Sequence, residues 1–302
     1  MLQLGLAALL ASPLPLTTPG APPTPIYGGD LVEPGAWSSA VAIVMPGTLC
    51  TGTLVAPRIV LTAAHCLVEN PPAGAMEIRL GDDVNLPSSP TYGVARYAVH
   101  PKFCGTDTDK CKEDIWDYGF IELVEDVAGV EPTPPLASQG EWDEAMQVGA
   151  AVTVVGYGLS EDGDITGIKR QVDVPIVKFS GTGLEFQAGG DGLDSCQGDS
   201  GGPAFTTLGD GSVVLAGVTS RGYTCGKGGF YAIPYAALCW LADETGVDLR
   251  TDACEACDCL VTSPEEESRC GCAASDPAGP LGLLALALLS RPGRRRSRTS
   301  RP

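Results

Sequence analysis

The run Asp194-Ser195-Cys196-Gln197-Gly198-Asp199-Ser200-Gly201-Gly202-Pro203 packs three glycines, two more polar acids and a serine around one hydroxyl, Ser200. Glycines let a backbone turn sharply and bring successive N–H groups toward a common point. That geometry suits an oxyanion hole, provided an activated nucleophile stands beside it. Taken alone, a Gly/Asp/Ser run is usually only a turn. A base elsewhere in the chain changes the reading, and Thr62-Ala63-Ala64-His65-Cys66 supplies one. The chain has 2 histidines. The other, His100, lies in Val-His-Pro, a strand-to-turn sequence that favours a structural role, so His65 is the candidate base.

Together these two stretches resemble the trypsin-like serine proteases. The order His, Asp, Ser along the chain is that family's order and not that of the other two serine-hydrolase plans. The resemblance runs from Ile26 to about Gly246. It implies an all-β fold of two packed six-stranded antiparallel β-barrels, at about 26–140 and 147–233, with a C-terminal helix at 234–244. In that reading Ser200 is the nucleophile, His65 takes its proton, and the N–H groups of Gly198 and Ser200 bind the oxyanion. The third member needs alignment. Asp117-Tyr118-Gly119-Phe120-Ile121-Glu122-Leu123 is similar to the family's aspartate and following strand, and counting back from Leu123 places the acid at Asp117. Asp114-Ile115 imitates the same opening and stands as the alternative.

By the same resemblance, Asp194 lies at the floor of the specificity pocket, and Ser220, Arg221, Gly222 and Gly229 belong to its walls. An anionic floor in an open pocket implies cleavage after Arg or Lys, through a desolvated charge pair. Arg221 departs from the family, which usually has tryptophan there. A flexible cationic shelf is expected instead, favouring acidic or small substrate residues. Disulfides Cys50–Cys66, beside the base, and Cys196–Cys225, across the pocket, are implied. Cys104 and Cys111 enclose a short charged loop, and a local bridge between them is read from the residues rather than from the family.

Ile26-Tyr27-Gly28-Gly29 resembles the mature amino terminus of the family, whose freed amine pairs with the acid before the catalytic serine, here Asp199. The chain then reads as a zymogen. However, Pro25 and not a basic residue precedes Ile26, so a protease of other specificity, or processing that trims the linker, is expected to free it.

Between these motifs, short β-like runs are broken by Gly, Pro and Asp. Examples are Ala40 to Met45, Ile59 to Leu61, Tyr92 to Val99, Gln171 to Lys178 and Val213 to Ser220. Glu125 to Trp142 reads as an acidic connector between barrels. No cysteine lies between Cys111 and Cys196, so the family's disulfide after the Gln171 strand has no counterpart, and Ser180 to Gly192 is expected to be looser. Pro234 to Glu244 reads as the terminal helix.

The 302 residues carry 37 acids against 19 bases, a formal charge of -18. Six of the arginines lie at or beyond Arg291, leaving 13 bases against 37 acids, or -24, in the rest. That excess excludes nucleic acid as a natural partner of the body and favours protein or peptide substrates. With 39 Gly and 25 Pro, the composition fits a turn-rich all-β protein. The 12 cysteines point to an oxidising compartment. No cofactor is implied and no metal site is assigned. Gly81-Asp82-Asp83 lies near a loop that binds calcium in some relatives, yet such a site needs about 6 to 8 oxygens.

Residues 1–16 are apolar and read as a signal peptide lacking a basic start, followed by a Pro/Thr-rich linker or propeptide at 17–25. The protease domain is 26–246. At 247–274 comes an acidic, Cys-rich segment. With Cys239 its six cysteines allow 15 pairings, and disulfides fit a secreted chain better than a Cys-x2-Cys-x-Cys metal site. Residues 275–302 carry a short hydrophobic helix, read as a transmembrane helix, then an Arg-rich end. Cysteine motif, short helix and arginines resemble the C-terminal sorting signal of myxobacterial surface proteins (MYXO-CTERM type). Secretion with retention at the bacterial cell surface or outer membrane is therefore expected, with an activating and a sorting protease as partners and a monomeric enzyme. Two rival readings are a catalytically silent, protease-like binding or adhesion module and a lipase or esterase. Gly198 and Gly202 stand two residues either side of Ser200, as in the latter's elbow, but the chain order His, Asp, Ser is not that class's order.

Overall fold

A computed structural model describes residues 26–68, 71–105, 115–159 and 167–251, together with Leu260 and Thr262. A short strand, β1 (Asp30–Leu31), precedes the first barrel. That barrel comprises β2 (Ala40–Met45), β3 (Thr48–Ala56), β4 (Ile59–Thr62), β5 (Glu77–Arg79), β6 (Thr91–Val99) and β7 (Gly119–Leu123). It closes in the order β2-β3-β4-β7-β6-β5, every pair antiparallel. The apolar run of β4 is buried along its whole length. Alternation would leave one face wet, whereas a strand covered on both sides reads as a continuous Val/Ile/Leu run.

A helix, α1 (Gln139–Ala145), joins the barrels. The stretch expected as a plain connector is helical here because Ser138 and Glu141 form a full capping box, each side chain accepting the other's backbone N–H. The second barrel contains β8 (Ala151–Gly156), β9 (Arg170–Phe179), β10 (Glu185–Ala188), β11 (Pro203–Thr207), β12 (Val213–Gly222) and β13 (Gly229–Ala232). Its order is β9-β10-β13-β12-β11-β8, closed by pairing of β8 with β9, and β1 adds to the outer edge of β9. Thus both barrels are six-stranded and antiparallel, as expected.

The region expected to be loose, Ser180 to Gly192, contains β10, paired on both sides. Phe186 anchors it, stacking on Tyr231 at 5.2 Å inside the second core. Packing replaces the missing disulfide. The terminal segment is a 3-10 turn, Pro234–Ala237, leading into α2 (Leu238–Thr245), which stops at Gly246. His100 is buried among Trp116, Tyr118 and Trp240, and its Nδ1 accepts the Lys102 N–H. Burial first, and then the Lys102 charge, lower its pKa to about 4, so the ring is neutral and structural.

Disulfides Cys50–Cys66 and Cys196–Cys225 are formed. Cys104 and Cys239 are also disulfide-bonded, while Cys111 lies outside the described residues. The transmembrane helix read within 275–302, on the apolar run Ala278 to Leu289, is corrected. No helix among the described residues is long and apolar enough to cross a membrane. The stretch itself lies outside them, and its 12 residues would span about 18 Å against a hydrocarbon core of about 30 Å.

A residue well beyond α2 also joins the second core. Leu260 is buried with Tyr235 and Leu238, and its N–H donates to the Tyr235 hydroxyl at 2.7 Å. Removing a buried leucine side chain costs about 2–5 kcal/mol, according to how far the site collapses. Leu260→Ala is therefore expected to lower unfolding stability by that amount in a denaturant titration. A loss below about 1 kcal/mol would contradict this packing.

Candidate active site

His65 sits on a 3-10 turn, Ala64–Cys66, directly after β4, and the Cys50–Cys66 bridge ties that turn back to β3. Asp117 lies two residues before the start of β7. Register pairing of Thr62 with Gly119 brings the two segments side by side. The Asp117 carboxylate is fully buried. Its Oδ1 accepts the His65 backbone N–H at 2.9 Å, and its Oδ2 accepts His65 Nδ1 at 2.7 Å and Ser220 Oγ at 2.7 Å. A carboxylate can only accept here, so Nδ1 carries the hydrogen and Nε2 keeps its lone pair. Asp114, the alternative acid, lies outside the described residues.

Ser200 lies in the turn after the Cys196 loop, fixed by backbone bonds. Its carbonyl accepts the Thr51 N–H at 2.8 Å, and the Thr51 hydroxyl donates to the Gly198 carbonyl at 2.9 Å. Gly201 donates to Thr219 at 2.7 Å, and Gly202 to Asp199 at 2.8 Å. Gly201 has φ 78°, and a Cβ there would overlap Thr62 and Thr51. The N–H groups of Gly198 and Ser200, by contrast, donate to nothing among the described residues. Two uncommitted donors thus remain beside a rigidly held hydroxyl.

Ser200 stands between two cavities. One, of about 480 Å³, is shared with His65, Gly198, Met45, Leu49 and Pro72. The other, of about 410 Å³, runs between Ser195 to Gln197 and Thr219 to Cys225, closed by the Cys196–Cys225 bridge. No hydrogen bond joins Ser200 to His65 in the structure. In hydrolases that contact commonly tightens only when substrate arrives.

Asp194 lies behind Ser195, 1% exposed. Its carboxylate accepts the N–H groups of Ser195 and Gly228, both at 2.8 Å, and its own N–H donates to Tyr27 at 3.0 Å. Burial raises its pKa against the opposing pull of those backbone donors. Gly229 covers it, and a Cβ there would sit 3.3 Å from Oδ1. Gly222 is on the facing strand in register with Gly229.

Asp199 is also fully buried, accepting Gly158 N–H and Cys196 N–H at 2.8 Å each. Burial pushes its carboxyl up to about 7. Among the described residues no side-chain cation pairs with it. Ile26 is itself buried in the second core.

The flexible cationic shelf expected at Arg221 is corrected. Its guanidinium is clamped by Glu185, Nη1 to Oε1 at 2.8 Å and Nη2 to Oε2 at 2.7 Å, and lies 4.5 Å above the Phe230 ring. Sequence gave no signal for Glu185, because the partner is 36 residues away. Thr51 was missed for the same reason. Ser220, expected only as a pocket wall, also holds Asp117. In the Gly81-Asp82-Asp83 turn, Asp82 lies 3.6 Å from the buried Lys169 ammonium and accepts the Gly35 N–H, so a lysine already meets that acid.

Comparison with known proteins agrees with this geometry. The family model described as Trypsin matches residues 26–241. The chain is 34% identical over 241 residues to human Serine protease 56, covering 72% of this chain and 38% of that protein. It is 31% identical over 214 residues to Phenoloxidase-activating factor 1 of Holotrichia diomphalia, covering 61% and 57%. With Coagulation factor XII of Sus scrofa the identity is 29% over 249 residues, covering 73% and 39%. The chain thus spans well under two thirds of each of these relatives. A match over most of the chain, on a double barrel with His65, Asp117 and Ser200 brought to one seam, places this protein in the trypsin family of serine proteases.

Proposed function

We propose that this chain is a serine endopeptidase that hydrolyses peptide bonds after Arg or Lys. The observation that carries the reading is the Asp117 carboxylate bonded to His65 Nδ1, which leaves Nε2 as a base on the cavity that holds Ser200. In the proposed reaction, Ser200 Oγ attacks the scissile carbonyl carbon and His65 Nε2 takes the hydroxyl proton. The carbonyl oxygen becomes an oxyanion and receives the N–H groups of Gly198 and Ser200. As the C–N bond breaks, His65 returns the proton to the leaving amine. An acyl ester on Ser200 remains. Water then attacks that ester, His65 takes its proton, and the acid product and free Ser200 are regenerated. Asp117 fixes the imidazole tautomer and stabilises the imidazolium that forms twice per cycle.

For specificity, Asp194 is buried directly behind Ser195, which lines the 410 Å³ cavity, and among the described residues no side-chain cation pairs with it. A basic side chain meets it there, and Gly222 and Gly229 leave the room. For activation, cleavage after Pro25 frees the Ile26 amine, and its ammonium is the partner that Asp199 lacks. Outside the described residues, the apolar start and the Cys-rich, Arg-ended tail support secretion and retention at a bacterial surface.

Cleavage sites mapped by mass spectrometry in a peptide library are expected to fall after Arg and Lys. Asp194→Ser should lower kcat/KM for an arginine peptide by about 100-fold, the effect of truncating one partner of a buried charge pair. A variant that keeps its Arg/Lys preference would refute the role of Asp194.

The buried Asp199 also makes stability pH-dependent. With its folded pKa near 7 against an ordinary 3.8, the uncleaved chain holds a proton between pH 4 and 7 that the unfolded chain has lost. Its contribution therefore falls as pH rises through that window. Melting of the uncleaved protein should fall more steeply from pH 4 to 7 than that of Asp199→Asn. Parallel melting curves would contradict the assignment.

A further inference from the structure

Tyr157 and Lys169 are fully buried and take no part in the proposed reaction. Tyr157 directly follows β8 and Lys169 directly precedes β9, so they stand at the two ends of one connection. The Lys169 ammonium donates to the Ala36 and Trp37 carbonyls at 3.1 Å each, and Asp82 lies 3.6 Å away as an ion pair. Its backbone N–H also donates to the Asp82 carbonyl at 2.7 Å. The Tyr157 hydroxyl is shared between the carbonyls of Gly81 at 2.8 Å and Ala40 at 3.0 Å. Burial first, and then the Asp82 charge, hold that hydroxyl well above its ordinary pKa, so it stays a donor. Both side chains therefore grip the same turn of the first barrel, at Gly81 and Asp82.

The backbone of the same connection meets the turn that carries Ser200. Three successive N–H groups point there. Tyr157 donates to the Thr51 hydroxyl at 3.3 Å, Gly158 to the Asp199 carboxylate at 2.8 Å, and Leu159 to the Gln197 carbonyl at 2.7 Å. The Thr51 hydroxyl passes its contact on to the Gly198 carbonyl. So close an approach requires glycine at 158, where a Cβ would stand 2.5 Å from the Gln197 oxygen. The Gln197 carbonyl matters most, because it shares one planar peptide unit with the Gly198 N–H. A donor that fixes the carbonyl end also fixes where the N–H end points.

We propose that Tyr157, with Lys169 as its anchor, is a positioning residue for the oxyanion site: by fastening residues 157–159 to the turn at Gly81 and Asp82, it aims the Gly198 N–H. Neither side chain touches substrate. The proposal rests on the proteolytic reading above and deepens it, since it names what holds one donor of that site.

The test compares two inhibitors on the full chain freed at Ile26. A peptide ending in arginine aldehyde is attacked at its carbonyl carbon by Ser200 Oγ, whose proton passes to His65, and the resulting oxyanion meets the Gly198 and Ser200 N–H groups. Benzamidine fills only the pocket at Asp194 and forms no oxyanion. Tyr157→Phe keeps the ring and removes the hydroxyl alone. It should weaken the aldehyde and lower kcat by about tenfold each, a fraction of the roughly 100- to 1000-fold lost with a whole oxyanion donor. KM and benzamidine affinity should stay within about twofold, since ground-state binding does not use that donor. Lys169→Met, which fills similar space without the charge, should show the same split. A merely structural role would reduce the number of titratable active sites while leaving both inhibition constants at the native values, and that result would overturn the proposal. Equal weakening of the two inhibitors would overturn it as well, by placing the effect in the pocket. In either case a native chain that cleaves arginine peptides leaves the proteolytic reading standing. A native chain that cleaves none sinks that reading and this inference together.

Discussion

Three hydrogen bonds converge on the enclosed Asp117 carboxylate, two from His65 and one from Ser220. A carboxylate taken out of water costs several kcal/mol unless its oxygens are met by donors. Here the donors come from both barrels, because His65 belongs to the first and Ser220 to β12 of the second. The charge can be buried only where the barrels meet in this one register. That requirement couples the fold to the chemistry, since the same bonds that satisfy the acid aim the imidazole at the seam.

The remaining contacts across the seam serve the same end. Thr51 of β3 reaches over with its N–H and its hydroxyl to hold the Ser200 and Gly198 carbonyls. Phe205, Leu215 and Val218 of the second barrel join the apolar core of the first. With the carbonyls of the Ser200 turn engaged, the N–H groups of Gly198 and Ser200 are the ones left over. Donors fixed before charge develops need no reorganisation at the moment of reaction, which is the main advantage an oxyanion site has over water.

Much of this was legible from residues alone. His65 and Ser200 lie in short motifs whose local chemistry is unusual, and the strands announce themselves as apolar runs between turn residues. The double barrel followed from the resemblance these motifs carry. What escaped was long-range. Nothing near Arg221 in sequence announces Glu185, and an unpaired arginine reads as a mobile cation until its partner is found. Similarly, β10 has one strong core residue, Phe186, in a glycine-rich setting, so local pattern understated a strand that pairing on both sides secures. The α1 helix differs from these. Its Ser138-x-x-Glu141 signature was present but sat in a proline-bearing acidic stretch that read as a connector.

The central claim is that Ser200 is a nucleophile activated by His65 next to an anionic pocket. Covalent labelling by an organophosphonate bearing an arginine-like group, read by peptide mass mapping, tests it most directly. The account predicts one stoichiometric adduct, located on Ser200, that forms at least about 100-fold more slowly in a His65→Ala variant. An adduct on another residue, or a rate at Ser200 that does not depend on His65, would contradict it.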